Sequence, residues 1–391
     1  MTVPQCDLAM IRADRNAPLL RCALVVLMGA IGGCHQTPAA PDPPEAPSTE
    51  LDQFVIEQMK AGRFPGLSAC IVKRGDVVWN KAYGWADISG RQPMTPETVF
   101  QVGSISKTIV ATAALQATEA GLVRLDEDVN AYLPFSVRNP RYAQNPITVR
   151  MLLTHTASIR DDPSLLGSLN RVDIPLSTFL RDYLVPGGRY ASNSYLSTAP
   201  GTAWSYTNVG ASLAAHVVER VSGQPFEGYA TERILRPLGI DVASWRSGPI
   251  AGVPNAVPHV DYRAVTPDEY PIVYPGGALR TSAPLLARFL LMFMAGGTYQ
   301  GASIVSASSV AEMARVQLPS VAPNQGLIWG YDDSGRILGH VGGLTGIGGF
   351  MFFRPADGIG VIVLVNGDLN EPHGAFAAAV LERLFAEGDR Q

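Results

Sequence analysis

Lysine is scarce in this 391-residue chain: there are Lys60, Lys73, Lys81 and Lys107, and none follows Lys107. Arginine fills the basic positions elsewhere, and a guanidinium does not release its proton at working pH. A lysine inside an apolar helix of such a chain therefore suggests a position where titration is useful. Cysteine is equally sparse, with four residues, Cys6, Cys22, Cys34 and Cys70. Three of them lie within the first 34 residues, so a mature chain acylated on Cys34 would keep only the Cys70 thiol; no Cys/His metal cluster is then available, and neither a metal nor another cofactor is expected. Charge is low as well. With 16% charged residues and a formal net charge of −4, the chain has neither the basic excess of a nucleic-acid binder nor the pull toward an acidic polymer. Three enzyme signatures are missing: the Gly-x-Ser-x-Gly elbow, the His-Glu-x-x-His zinc helix and the Gly-x-x-x-x-Gly-Lys phosphate loop. There is no internal repeat.

What is present begins with a targeting pattern. Arg12, Arg15 and Arg21 precede an apolar run from Cys22 to Gly33 that is too short to span a bilayer as a stable helix. Residues 1–33 are therefore expected to be a signal peptide. The run ends Ala30-Ile31-Gly32-Gly33-Cys34, which resembles a bacterial lipoprotein cleavage box with Cys34 as the acylated first residue. An ordinary signal peptide with an incidental cysteine is the alternative. Residues 34–50, Pro-rich between Thr37 and Pro47, are expected to be an extended tether. The expectation is an exported, periplasmic protein held to the membrane only through a lipid on Cys34. Cys70, in a strand pattern, would then be the one remaining thiol, buried as a small apolar residue.

The chain is organised around Phe100-Gln101-Val102-Gly103-Ser104-Ile105-Ser106-Lys107. A β-branched and aromatic stretch leads to Gly103, which allows a sharp change of direction, and Ile105 to Ala120 then reads as a helix without Gly or Pro. Ser104 sits near the helix N-terminus, where unpaired N–H groups and the helix dipole favour negative charge on a substrate oxygen. Lys107 lies one turn on, about 5–6 Å away between Cβ atoms. A free amine so placed can take the serine proton if its surroundings disfavour its charged form.

The flanking patterns give the fold class. Leu51 to Ala61 reads as an amphipathic helix, and Leu67 to Lys73 with Val77 to Tyr83 as a hairpin around Arg74-Gly75-Asp76. Leu285 to Met294 is an apolar helix. Strands are expected at Leu327 to Tyr331, Arg336 to Val341, Gly349 to Arg354 and Ile359 to Asn366, and a closing helix from Ala375 to Phe385. Strands at both ends predict an α+β fold, an antiparallel sheet from both chain ends flanked by helices, with a mainly helical lobe at about 122–270. Residues 51–391 form one domain on this reading.

Two more patterns stand downstream: the chain's single Tyr-x-Asn, Tyr206-Thr207-Asn208, and its single His-x-Gly, His340-Val341-Gly342-Gly343. With Ser104-Ile105-Ser106-Lys107 and in this order, they resemble the serine hydrolases of the class C β-lactamase and penicillin-binding-protein-like family. Pro65-Gly66-Leu67, Tyr83 to Asp87, Leu152-Leu153-Thr154-His155-Thr156 and Gly276-Gly277-Ala278-Leu279 look like further phrases of that family. The resemblance covers roughly residues 50–390 and implies a β-lactamase/transpeptidase-like fold. It also implies an acyl-enzyme on Ser104, with Lys107 and Tyr206 sharing the base role and Asn208 fixing the lysine and the substrate. The N–H groups of Ser104 and Gly343 would form the oxyanion hole, with Gly342 and Gly343 allowing close approach to substrate.

Two departures stand out. The third box begins with His340, as in many esterases and D-amino-acid-specific peptidases of the family, where β-lactamases have lysine. Ala157-Ser158-Ile159 replaces the usual Ser-Gly-Leu. An unperturbed imidazole is about one-tenth cationic at pH 7.4, so the site should favour uncharged esters or amides and hold carboxylates better as pH falls toward 6. The expected substrate is a small ester or amide, with a β-lactam or a cell-wall peptide handled by a D,D-peptidase or D-aminopeptidase as alternatives. A non-catalytic penicillin-type binder is the remaining alternative.

Overall fold

A computed structural model describes residues 48–169, 173–266, 271–370 and 372–391. The expected signal peptide, Cys34 and nearly all of the tether lie outside the described residues. Helix α1 (Glu50–Ala61) opens with a reciprocal cap. The Thr49 hydroxyl accepts the Asp52 N–H at 3.1 Å, and the Asp52 carboxylate accepts the Thr49 N–H at 3.1 Å. Asp52 is buried and also accepts from Lys81 Nζ at 2.8 Å and the Tyr83 hydroxyl at 2.7 Å, which ties α1 to the sheet. Burial alone would raise the Asp52 pKa; these bonds and those from Ser48 and Thr49 more than offset it and hold the carboxylate far below its usual range.

Four more helices matter here: α2 (Ser106–Glu119), α3 (Asn208–Ser222), α4 (Ala283–Met294) and α5 (His373–Gly388). The main sheet has seven strands: β1 (Gly66–Lys73), β2 (Asp76–Asp87), β3 (Gln92–Pro93), β4 (Gly330–Tyr331), β5 (Leu338–Leu344), β6 (Ile347–Arg354) and β7 (Ile359–Val365). Their order is β4-β5-β6-β7-β1-β2-β3, with every neighbouring pair antiparallel. The sheet therefore draws its two halves from the two ends of the chain and joins them where Leu67 pairs with Val365 and Lys73 with Ile359.

Alternation along the strands separates two cores. Leu67, Ala69, Ile71, Val361 and Val363 pack with the apolar sides of α1 and α5. Cys70, Val72, Met351, Ile362 and Leu364 face the other way, into the core that contains α2, α3 and α4. Cys70 is a free, buried thiol whose pKa burial pushes up, and it behaves as the small apolar residue expected. Between the two halves of the sheet the chain forms the helical lobe, with short helices such as Val149–Leu153 and Leu176–Leu184.

The apolar run Leu327 to Tyr331 is not the strand its composition predicts. Only Gly330–Tyr331 joins the sheet, because Ile328 takes φ 66° and donates its N–H to Leu153 at 2.7 Å. These residues are apolar because Leu327, Ile328 and Trp329 are core, not because they pair.

Candidate active site

Ser104 stands on a turn that two backbone contacts hold. Phe100–Gln101 pairs with Arg280–Thr281, and the Val102 N–H donates to Leu279 at 2.8 Å. Gly103 then reverses the chain with φ 55°, and Gly103–Ile105 forms a 3₁₀ turn that runs into α2. A Cβ on Gly103 would lie 2.8 Å from the Gly343 nitrogen, so β5 lies directly on this turn. Gly342 is held even more tightly, since a Cβ there would lie 2.0 Å from the Val102 carbonyl oxygen. The two glycines let the Ser104 turn and the Gly343 segment of β5 approach one another closely.

Lys107 has no exposed surface, and its helix neighbours Ile109, Val110 and Ala111 are buried with it. Its Nζ lies 3.0 Å from Ser104 Oγ, 2.7 Å from Asn208 Oδ1 and 2.7 Å from the Gly276 carbonyl oxygen. Two of these partners can only accept, so they take two N–H groups in either protonation state of the lysine. The third position faces Ser104. An ammonium would donate there, and a neutral amine would offer its lone pair to the serine proton. The Gly276 phrase thus holds the lysine, and its neighbour Leu279 donates its N–H to the buried Ser106 hydroxyl at 3.2 Å.

Tyr206 and Asn208 arrive from the N-terminus of α3. Lys107 Nζ lies 5.0 Å from the centre of the Tyr206 ring. Thr207 caps α3 through its hydroxyl, which accepts the Gly210 N–H at 3.1 Å. The segment carrying His155 templates this approach: the Ser205 N–H donates to the His155 carbonyl at 2.8 Å, and the Thr207 N–H to His155 Nδ1 at 3.3 Å. The His155 ring lies against that of Tyr206, with centroids 4.5 Å apart. Burial, then the proximity of Lys107 and His340, keeps His155 neutral, well below its ordinary pKa.

His340 completes the group by register. It pairs with Met351, which pairs with Ile362, which pairs with Cys70. Opposed residues share a face, so the imidazole lies on the α2 side, with its ring 6.5 Å from that of Tyr206. Its Nδ1 donates to the Val341 carbonyl at 2.6 Å, which leaves Nε2 as the acceptor. Burial, then the charge of Lys107, lowers its pKa to about 3. This corrects the expectation of an ordinary imidazole: His340 is not one-tenth cationic at pH 7.4, and no charge is gained toward pH 6.

Sequence reasoning missed Asp161. Its carboxylate accepts from the Thr207 hydroxyl at 2.6 Å, the Val209 N–H at 3.1 Å, the Asn208 N–H at 2.7 Å and Asn208 Nδ2 at 2.8 Å. The Ser158 departure also has a local solution. Ser158 keeps φ 59°, the left-handed geometry that suits glycine, while its hydroxyl donates to the Thr198 carbonyl at 2.6 Å and accepts from Asn139 Nδ2 at 2.8 Å.

The chain is similar to several known proteins. A putative penicillin-binding protein, PbpX, of Bacillus subtilis (strain 168) is 28% identical over 65% of this chain and 56% of its own length. Protein flp of Staphylococcus aureus (strain MRSA252) is 23% identical over 81% of this chain and 62% of its own. The esterase EstB of Burkholderia gladioli is 32% identical over 49% of this chain and 50% of its own. The chain thus spans between half and two-thirds of the length of these relatives. Among solved structures, an octameric penicillin-binding protein homologue from Pyrococcus abyssi superposes with a TM-score of 0.70 at 26% identity, covering 86% of this chain and 77% of that one. A penicillin-binding protein from Bacillus halodurans shares the fold, with a TM-score of 0.66 at 21% identity over 84% of this chain and 98% of its own. The Beta-lactamase family model matches residues 51–384, and this chain belongs to that family, within the β-lactamase and penicillin-binding-protein-like serine hydrolases.

Proposed function

We propose that the protein is a serine hydrolase that cleaves small esters or amides through an acyl-enzyme on Ser104. The observation that carries this reading is the Lys107 Nζ at 3.0 Å from Ser104 Oγ, with its other donors committed to Asn208 and Gly276. On this reading Ser104 Oγ attacks the carbonyl carbon and its proton passes to the Lys107 and Tyr206 pair. The oxyanion receives the N–H groups of Ser104 and Gly343. The proton then goes to the departing alcohol or amine, and water attacks the ester on Ser104 with the same pair as base. Asn208 holds Lys107 through its oxygen. One of its two amide hydrogens is engaged by Asp161, and the other would serve the acyl side chain of the substrate.

Preference for an uncharged substrate rests on His340. A neutral imidazole offers an acceptor and no positive charge, whereas penicillins, cephalosporins and D-Ala-D-Ala peptides all carry a carboxylate. The esterase named among the relatives agrees with this choice, and the penicillin-binding relatives keep the peptide reading as the rival. Exposure to a p-nitrophenyl ester, a cephalosporin and a D-Ala-D-Ala peptide, followed by intact mass and turnover, tests it. Fast ester turnover with a transient adduct on Ser104 is expected. A permanent cephalosporin adduct without turnover would make the protein a binder instead.

The place of action proposed is the periplasm, with Cys34 lipidated to hold the protein to a membrane and residues 34–50 as a tether. The support is the lipoprotein-like box ending at Cys34 and the Pro-rich tract that follows it.

A further inference from the structure

We propose that Asp161 is a positioning residue that sets which end of the Asn208 carboxamide meets Lys107. This inference rests on the acyl-enzyme reading above. Asn208 can present either its oxygen or its NH₂ to the lysine, and the two orientations differ by a half-turn that costs little by itself. The surroundings decide. The Asp161 carboxylate is acceptor-only, and its Oδ2 takes both the backbone N–H of Asn208 at 2.7 Å and the side-chain Nδ2 at 2.8 Å. The NH₂ end is thereby drawn to Asp161, and the oxygen end is left at 2.7 Å from Lys107 Nζ.

The other carboxylate oxygen is held just as firmly. Oδ1 accepts the Thr207 hydroxyl at 2.6 Å and the Val209 N–H at 3.1 Å, so Asp161 cannot turn without giving up bonds at both oxygens. Thr207 in turn is the residue between Tyr206 and Asn208, and it caps α3. A single carboxylate therefore orders the Tyr206-Thr207-Asn208 segment and passes its polarity to Lys107 through one side chain. Among the ionisable groups near Lys107 are Tyr206, His155 and His340. The two imidazoles are held neutral, and the Asp161 carboxylate reaches the lysine through one side chain, Asn208.

Replacing the carboxylate acts on Lys107 in one direction. With one carboxylate oxygen exchanged for an NH₂, the Asn208 amide no longer faces an acceptor-only partner and is free to turn its N–H toward Nζ, and a nearby negative charge is lost. Both changes disfavour the ammonium form. The pH limb of kcat/KM that reports the Lys107 and Tyr206 pair should therefore move to lower pH. A residue that only capped α3 would leave that limb in place.

The test is a double-mutant cycle of Asp161→Asn and Asn208→Ala on p-nitrophenyl acetate, with Ser104→Ala alongside and folding checked by circular dichroism. Asp161→Asn should lower kcat by about 10- to 100-fold with KM changed by less than about threefold. The double variant should fall below Asn208→Ala by much less than the factor Asp161→Asn costs the wild type, because Asp161 acts mainly through Asn208. Additive losses, or an Asp161→Asn enzyme within twofold of wild type, would overturn the proposal while Ser104→Ala stays inactive. Full turnover by Ser104→Ala would overturn both this inference and the reading it rests on. Asp161→Ala, which removes acceptor and charge together, takes the place of the asparagine variant should that one fail to fold, and the same outcomes apply.

Discussion

The carbonyl oxygen of Gly276 lies 2.7 Å from Nζ of Lys107, so a segment 169 residues further along the chain supplies a fixed acceptor to the lysine of the first box. That acceptor and Asn208 define where the third ligand position of the nitrogen points, which is at Ser104. In the proposed mechanism this position calls for a compact nitrogen with few donors, not for positive charge alone.

Lys107→Arg should lose activity as completely as Lys107→Ala, and Ser104→Ala should be equally inactive. The guanidinium keeps the charge, but it cannot accept a proton, and its planar fork does not fit a site built for one nitrogen. Single-turnover acylation by a p-nitrophenyl ester is the measurement, with a loss of about 10³-fold or more expected. An arginine variant that keeps most of its rate would show that charge is all this position supplies.

His340 predicts a pH response by its absence. With its pKa lowered to about 3 by burial and by Lys107, the imidazole is neutral at pH 7.4 and still neutral at pH 6. The ratio of kcat/KM for a cephalosporin to that for a neutral ester should therefore not rise between these values on account of this residue. His340→Lys should raise the ratio by about tenfold or more at pH 7.4, since a charged donor to a carboxylate is worth about 1.5–3 kcal/mol. A wild-type preference for the cephalosporin would require another cation. Arg280, buried with its guanidinium 3.3 Å from Gln101 Oε1, would be the first to substitute.

Gly342→Ala tests the spacing between the strand and the serine turn. A methyl group 2.0 Å from the Val102 carbonyl oxygen cannot be accommodated, so β5 must move away from Ser104 and carry the Gly343 N–H with it. A loss of about 10²-fold in kcat is expected, the usual cost of one oxyanion donor, with about 1–3 kcal/mol of lost stability from overpacking. Rates and urea midpoints measured on the same sample separate the two effects. A fully active alanine variant would show that the approach of β5 to this turn is not needed.

Cys34 makes a prediction about place. The full-length protein should partition with membranes, and Cys34→Ser should stop processing at that point and abolish lipid labelling. A chain starting near residue 48 should keep full activity, because Ser104, Tyr206, Asn208, Gly276 and His340, the groups around Lys107, all lie within residues 48–391. Quantitative recovery of the wild-type protein in the soluble fraction would leave an ordinary secreted enzyme.

The parts of this molecule that could be read in advance are those with local rules. Ser104 and Lys107 are linked by helical spacing, β1 and β7 by apolar runs of strand length, and the turn at Gly103 by the one residue that takes φ 55° without strain. Tyr206 and His340 have no local link to the lysine; they were found through the order of short phrases, and the sheet register explains how His340 reaches it. Asp161 escaped because an aspartate in a Pro- and Ser-rich loop has no spacing that betrays four donors gathered from another segment. The neutrality of His340 escaped for a related reason: a pKa belongs to the surroundings, and those arise only when β5 lies on the α2 side. Leu327 to Tyr331 misled because burial and strand pairing leave the same mark in composition.

The junction of β1 with β7 makes the order of synthesis matter. Leu67 finds its partner Val365 only after nearly the whole chain exists, so the centre of the sheet cannot close on a nascent polypeptide, whereas α2 and the short helices of the lobe can form early from local contacts. Until Ile359–Val365 emerges, the β1 edge is an open row of hydrogen-bonding groups, and a chain stalled or clipped before that point presents a template for aggregation. Release of the last strand is thus the step that closes the sheet behind the Ser104 turn, and truncations from the C-terminus should be far more damaging than those of equal length from the tether.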